Sequence, residues 1–313
     1  MRAKFIFSLI LPLLFIFAVF AQPRKAAPTQ AATRTITIVT EPKAEVWLDD
    51  VKYGATNESG NLTLRNIPGG VRKLRVRGNG FKEVAQNLLP AQKGEVKIAL
   101  TRTTDEAELA FQEAETSTDR KKAVELYRKA IDLRPKYAEA NLGLARVLLA
   151  QGDTEAALEA VQAAKKARPV YSEATAVEGR IYTEQDEPEK AVAAFKRALT
   201  EGKGFQPEAH AGLGLFYKEK AEGFGSSGDF ENEKQNYIIA AAALKKAAAQ
   251  LGTAPDAVTI YQLLGDSYEK AKMFPEAIKV YEDFLRLFPD SDEASIMESF
   301  IVQIKKRQQE GKQ

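Results

Sequence analysis

The stretch that decides the fold is residues 258–291, which read VTIYQLLGDSYEKAKMFPEAIKVYEDFLRLFPDS. Pro289 stands near its end, and the interval from Pro255 to Pro289 equals the interval from Pro135 to Pro169. This interval of about 34 residues is typical of a helix–turn–helix unit that cannot bury its apolar face alone and stacks on copies of itself. The spacing therefore predicts an array of helix pairs.

The same residue types recur in register between these prolines. Small residues let the two helices of a unit approach closely, aromatic residues fill the space between them, and proline blocks continuation of the second helix. The packing positions predicted from this register are Ala123, Tyr127, Ala130, Pro135, Ala157, Ala164, Pro169, Gly179, Tyr182, Ala191, Phe195, Ala198, Gly214, Tyr217, Gly265, Tyr268, Ala277, Tyr281 and Pro289.

The helical part of the chain, residues 104–291, divides into five such units, and residues 292–313 follow as a capping helix with a polar tail. The units are 104–137, 138–171, one that begins at Ser172, one that opens near Pro207, and 258–291. This pattern resembles the tetratricopeptide repeat family. The resemblance implies an all-α superhelical array whose concave groove binds a peptide or helical segment of another protein.

The fourth unit is irregular, because the interval from Pro207 to Pro255 exceeds one period by about 14 residues. We expect the excess to form a flexible insertion between the two helices, near residues 221–234, with Asp229 as the N-cap of a lengthened second helix. The run at 223–228 satisfies the G-x-G-x-x-G pattern. A dinucleotide site needs that pattern between a β-strand and a helix of a βαβ unit, so a plain connecting loop is favoured here.

Residues 35–102 have a different texture, with short alternating segments separated by turn residues. This pattern predicts a small antiparallel β-sandwich ahead of the helices, and so a multidomain chain. The run 41–49, with the later Gly80-Phe81 pair, resembles the PEGA domain family, and 57–65 also resembles carboxypeptidase regulatory-like sandwiches. The expected strands are 35–40, 45–48, 61–65, 71–77, 96–100 and one near 81–89.

Residues 1–21 are predicted to be a secretory signal peptide. Two basic residues precede an apolar run at 5–20, and the small residue Ala21 follows. The run is slightly shorter than the roughly 20 residues that span a bilayer, so cleavage is favoured over a retained membrane anchor, which stays the alternative. We expect an exported protein, periplasmic or secreted, that meets a membrane only through an uncleaved signal. Residues 22–34 are predicted to be a flexible linker.

The composition narrows the possible chemistry. The chain has no cysteine and one histidine, which leaves little basis for thiol, zinc-thiolate or histidine-based chemistry. The net charge of +2 does not favour nucleic-acid binding. We therefore predict no catalytic residues, no cofactor and no metal site, and we interpret the single histidine, His210, as a partly buried packing residue.

Candidate binding residues come from equivalent positions of neighbouring repeats. Arg146 and Arg180 are separated by one full period, and Lys218 could extend the row. The family resemblance implies that these positions line the concave groove, where two guanidinium groups could clamp the carboxylates of a peptide. The alternative is intramolecular ion pairing with nearby carboxylates such as Glu139, and it stays open. We expect no enzyme, because catalysis would need a desolvated cluster of ionisable groups.

The sequence thus predicts an exported, non-enzymatic protein-interaction scaffold. The alternative is a module that binds a bacterial envelope polymer, cell wall or surface polysaccharide, through the β-sandwich. That alternative depends on Lys73, Arg75 and Arg77, which alternate onto one face of a strand. An ordinary solvent-facing strand would have the same pattern.

Overall fold

A computed structural model of the protein describes residues 33–68 and 70–310. The predicted signal peptide at 1–21 lies outside the described residues, as does all of the predicted linker except its last two residues. Those two residues already belong to the first strand, which begins at Thr33.

Within the described residues, seven strands form two sheets ahead of the helices. The strands are β1 (Thr33–Val39), β2 (Glu45–Leu48), β3 (Val51–Ala55), β4 (Asn61–Pro68), β5 (Arg72–Arg77), β6 (Val84–Leu88) and β7 (Gly94–Lys97). One sheet has the order β4–β1–β7 and the other the order β3–β2–β5–β6. Neighbouring strands are antiparallel except β7, which pairs parallel to β1. The parallel pair arises because the chain crosses from the second sheet back to the first before entering β7.

Side chains that alternate along the strands pack between the two sheets. Ile36 and Ile38 of the first sheet and Leu74 and Val76 of the second are fully buried in one cluster. This alternation is the pattern expected for two sheets that share a core. It confirms the interpretation of the alternating segments as strands of a sandwich.

Strand β3 was not predicted from the sequence. It pairs with β2 through a tight hairpin whose two turn residues, Asp49 and Asp50, have φ angles of 51° and 66°. Two consecutive residues with positive φ are typical of the type I′ hairpin turn, and aspartate tolerates this conformation better than most residues. The last strand covers 94–97 rather than the predicted 96–100.

Eleven helices follow among the described residues. They are α1 (Glu106–Thr116), α2 (Arg120–Leu133), α3 (Ala138–Ala150), α4 (Thr154–Ala167), α5 (Ser172–Glu184), α6 (Pro188–Glu201), α7 (Pro207–Ser226), α8 (Phe230–Leu251), α9 (Ala257–Lys270), α10 (Phe274–Leu287) and α11 (Ala294–Glu310). The first ten form five helix pairs, and α11 packs on the last pair. No described helix combines the length and apolar character that a membrane crossing requires.

Glycine on the first helix of a pair faces an aromatic ring on a second helix. A Cβ atom on Gly143 would lie 2.4 Å from the Tyr127 ring, and one on Gly179 would lie 2.5 Å from the Phe195 ring. Such distances are shorter than any real contact of a Cβ atom, so only glycine fits there. The structure thus places Tyr127, Gly179 and Phe195 of the repeat register where helices cross.

The expectation of a flexible insertion in the fourth pair is wrong. Helix α7 has 20 residues and α8 has 22, and only residues 227–229 connect them. The first two glycines of the run at 223–228 therefore lie inside α7. The longer helices are stable because Ala221 and Tyr237 are buried together against the next pair. Asp229 caps α8 as predicted, since its side chain accepts a hydrogen bond from the backbone N–H of Asn232.

Candidate functional site

The β-sandwich contacts the first helix pair of the array through Arg77. This side chain is buried, and its Nη2 lies 3.0 Å from Oε2 of Glu115 while its guanidinium carbon lies 4.7 Å from the centre of the Phe111 ring. Beside it, the Gln112 side chain accepts a hydrogen bond from Gly80 N–H and donates one to the carbonyl of Phe81, each 2.8 Å long. These contacts seat the sandwich on α1.

A second contact lies at the far side of the array, at the junction of α8 and α9. Val51 of the β2–β3 hairpin is buried in one cluster with Leu244 and Leu251. The Thr253 hydroxyl donates a 2.9 Å hydrogen bond to the carbonyl of Arg65. Burial raises the pKa of the neighbouring Tyr53 to about 12. The sandwich therefore spans the concave side from the first pair to the fourth.

Between these two contacts lies a chamber of about 620 Å³. The β2–β3 hairpin and β5 form one wall, and the first helices of the first four pairs form much of the other. Volumes of this size are typical of ligand pockets. Its apolar and aromatic lining residues include Trp47, Phe111, Leu142, Tyr171, Phe205 and Leu215.

Arg146 and Arg180 both lie in this chamber, and both contact Glu208. Nη2 of Arg146 is 2.8 Å from one carboxylate oxygen of Glu208, and Nη1 of Arg180 is 3.0 Å from the other. Burial alone would raise the pKa of Glu208, but the charges and hydrogen bonds of the two arginines outweigh it and hold that pKa below its usual range. One carboxylate from α7 thus joins α3 and α5.

The third predicted candidate, Lys218, does not share the chamber with Arg146 and Arg180. Its Nζ lies 2.7 Å from Glu222 and 3.4 Å from Asp266, and it does not line the chamber. Glu139, considered above as a partner for the groove arginines, pairs instead with Arg168. The structure therefore contains intramolecular ion pairs at all three candidate cations, with partners other than Glu139.

The basic residues on one face of β5 also form ion pairs with carboxylates. Lys73 and Arg75 both lie near Asp50, at 3.5 and 3.0 Å. The guanidinium groups of Arg75 and Arg77 lie 5.1 and 4.7 Å from the centre of a Trp47 ring, in cation–π geometry. Arg75 and Arg77 belong to the chamber wall.

His210 is buried near the chamber but does not line it. Its Nε2 lies 3.3 Å from the carbonyl of Gly204, and burial lowers its pKa. This confirms its interpretation as a packing residue. Within residues 33–68 and 70–310, no group of three or more histidine, aspartate and glutamate side chains could hold a metal ion.

Sequence reasoning missed Glu208 and the β2–β3 hairpin. Glu208 follows Pro207 at the start of a helix, where the helix dipole favours an acidic residue. Its place in the first turn of a helix could therefore be predicted. Its contact with two arginines depends on the curvature of the array, and no local sequence pattern predicts that curvature. The hairpin has only the Asp49-Asp50 pair as a signal.

A second groove of about 660 Å³ lies at the other end of the concave face, between α9 and α11. Ile296 and Phe300 supply apolar surface there, and Arg307 lies 3.6 Å from Glu269. The sandwich does not contribute to this groove. The concave face therefore has a covered part and an uncovered part.

Comparison with known proteins identifies the helix pairs. Models of the tetratricopeptide repeat match residues 116–181 and 259–291, so the chain contains tetratricopeptide repeats. No curated protein matches the sequence.

Solved structures share the helical fold at low sequence identity. Yeast Tom70 matches with a TM-score of 0.52 and 16% identity over 66% of this chain and 41% of Tom70. PilW, a widely conserved type IV pilus biogenesis factor, matches with a TM-score of 0.50 and 16% identity over 66% of this chain and 89% of PilW. A tetratricopeptide repeat protein of Thermus thermophilus matches with a TM-score of 0.46 and 19% identity over 63% of this chain and 99% of that one. The first two likenesses support the fold of the array.

Proposed function

We propose that this protein is an exported, non-enzymatic scaffold that binds a peptide or helical segment of another protein on its concave face. Tetratricopeptide repeats typically bind other proteins, and a preformed curved surface needs little reorganisation on binding. The observation that carries the proposal is the chamber, which combines aromatic walls with polar side chains that reach its interior. Leu215 is 47% exposed and lines it.

The charges of the chamber support a binding role over a catalytic one. General acid–base catalysis needs a group whose pKa lies near the working pH. Glu208, held between Arg146 and Arg180, has its pKa lowered further away from that range. Arg75 and Arg77 are likewise held by carboxylates.

Export and the type of the sandwich rest on sequence features. Residues 1–21 have the composition of a signal peptide, which supports a periplasmic or secreted location. The run 41–49 and the Gly80-Phe81 pair support a PEGA-like domain, and two sheets around one core are compatible with it. We infer that this domain positions the array and supplies one wall of its binding site.

Polymer binding through the sandwich receives less support. Lys73, Arg75 and Arg77 already pair with carboxylates, and two of the three turn toward the array. A face that is already neutralised gains little from an anionic polymer, because solvated ion pairs must be broken first. The same pairing and the small net charge disfavour nucleic acid as a partner.

Site-specific photocrosslinking tests the scaffold proposal. A photoreactive residue replaces Leu215 in the chamber or, as a matched control, Leu133 on α2, which is 48% exposed and outside the chamber. We expect a discrete protein adduct from position 215 in a host that exports the protein, and none from position 133. Equal adduct patterns from the two positions would contradict binding on the concave face.

A further inference from the structure

We infer that the chamber binds a short segment with a basic side chain, and that the β2–β3 hairpin of the sandwich is part of this binding site. The inference rests on the proposed scaffold function and specifies its ligand. A row of arginines would be expected to select acidic peptides, whereas the ligand inferred here is basic.

The described cations that line the chamber are Lys52, Arg75, Arg77, Arg146 and Arg180. All five lining cations are ion-paired: Lys52 with Glu45, Arg75 with Asp50, Arg77 with Glu115, and both Arg146 and Arg180 with Glu208. An incoming carboxylate would therefore have to displace a carboxylate that is already in place.

The lining carboxylates are not all paired. Seven of them line the chamber, and two, Glu173 and Asp256, have no ion-pair partner among the described residues. Glu173 accepts a 3.1 Å hydrogen bond from the Ser172 hydroxyl, and the charge of Arg168 acts on it only from beyond ion-pair distance. The uncommitted charge in the chamber is thus negative, and it complements an ammonium or guanidinium group.

The size of the chamber limits the length of the segment. Its volume of about 620 Å³ is that of an ordinary small-ligand pocket, so it suits a short segment better than a long helix. The hairpin would also obstruct a long helix, since Val51 is buried in one cluster with Leu244 and Leu251 of α8. The ligand is therefore a chain end or a short loop.

The sandwich supplies part of the contact surface. Trp47 and the hairpin residues 49–52 line the chamber opposite the helices. The apolar surface around Leu215 and Phe205 suits the aliphatic stem of lysine or arginine, whose charged head would reach a carboxylate. Recognition therefore involves both the sandwich and the array.

Affinity selection from an equimolar library of synthetic hexapeptides with blocked ends tests this inference. The purified full chain is the bait, and bound peptides are identified by mass spectrometry. We expect lysine and arginine to be enriched about fivefold over the input, the effect of one ion pair in a partly enclosed site. Enrichment of acidic peptides, or of none, would overturn the inference.

Three variants show whether the chamber causes the selection. The double variant Glu173→Gln and Asp256→Asn should lose the preference for basic peptides. The control Glu125→Gln with Asp132→Asn, at exposed positions of α2, should keep it. Glu173→Lys should shift the selection toward acidic peptides, a gain that misfolding cannot produce. An unchanged selection in the first and third variants would contradict the inference. Photocrosslinking from position 215 is independent of ligand charge, so it shows whether the scaffold function itself survives such a result.

Discussion

The third and fourth repeats follow one packing rule at different lengths. In the third repeat, helices of 13 and 14 residues cross where Gly179 meets the ring of Phe195. In the fourth, helices of 20 and 22 residues cross where Gly214 meets Leu244, while the space around Gly223 further along is open. The crossing point therefore requires glycine, whereas position 223 beyond it does not. Beyond it the helices can lengthen, and the fourth repeat does so.

The largest predicted effect concerns this crossing point. Gly179→Ala places a methyl group 2.5 Å from the buried Phe195 ring, so we expect a loss of about 1–3 kcal/mol in the free energy of unfolding. Gly223→Ala, in the open part of α7, should instead be neutral or stabilise by up to about 1 kcal/mol, because alanine is the better helix former. Urea unfolding of both variants measures the two values. Equal losses would show that the extension is packed as tightly as the crossing.

The next effect concerns the ion pairs that join the fourth repeat to the second and third. Glu208→Gln leaves Arg146 and Arg180 without their carboxylate, and we expect a loss of about 1–2 kcal/mol at neutral pH. The matched change Glu222→Gln breaks an exposed pair with Lys218 and should cost about 0.5 kcal/mol or less. Urea unfolding at neutral pH measures both losses, and equal losses would contradict a special role for the shared carboxylate.

The pH dependence follows from the lowered pKa of Glu208. The folded state holds the pKa of Glu208 below its unfolded value of about 4.3. The contribution of this carboxylate to the free energy of unfolding is therefore complete above the unfolded pKa, and it is lost as the pH falls through the folded pKa. The difference between the wild type and Glu208→Gln should therefore shrink as the pH is lowered from 6 to below 4 during unfolding measurements. If the difference between the two unfolding free energies stays constant with pH, the charge of the Glu208 carboxylate is not its cause.

The smallest effect concerns the contact of the sandwich with the fourth repeat. Val51→Ala removes two methyl groups from a cluster shared with Leu244 and Leu251, and we expect a loss of about 1 kcal/mol. Amide exchange at 51–53 should accelerate, since the hairpin would open locally before the array unfolds. Exchange that remains as slow as in the wild type would show that the hairpin does not depend on this contact.

Much of the fold could be predicted because it follows from local sequence periodicity. The repeat spacing indicated the helix pairs, and Asp229 indicated the start of α8, since capping depends on neighbouring residues only. The length of α7 could not be predicted in this way. Its glycines read as a loop, but burial of Ala221 and Tyr237 outweighs their low helix propensity.

The candidate site was predictable only in part. The resemblance to tetratricopeptide repeats implied that Arg146 and Arg180 line the groove, and both line the chamber. Their shared partner, Glu208, lies 62 and 28 residues further along the chain and reaches them through the curvature of the array. The seat of the sandwich depends on single contacts such as Thr253 with Arg65, which have no sequence signature.

The sandwich covers part of the concave face and leaves a chamber of limited size. Since the chain has no cysteine, Leu215→Cys and Leu133→Cys each introduce one thiol, at positions that are 47% and 48% exposed. We predict that a small maleimide labels both at similar rates, and that a polymer-linked maleimide labels position 133 readily but position 215 far more slowly. Equal labelling of the two positions by the large reagent would contradict the claim.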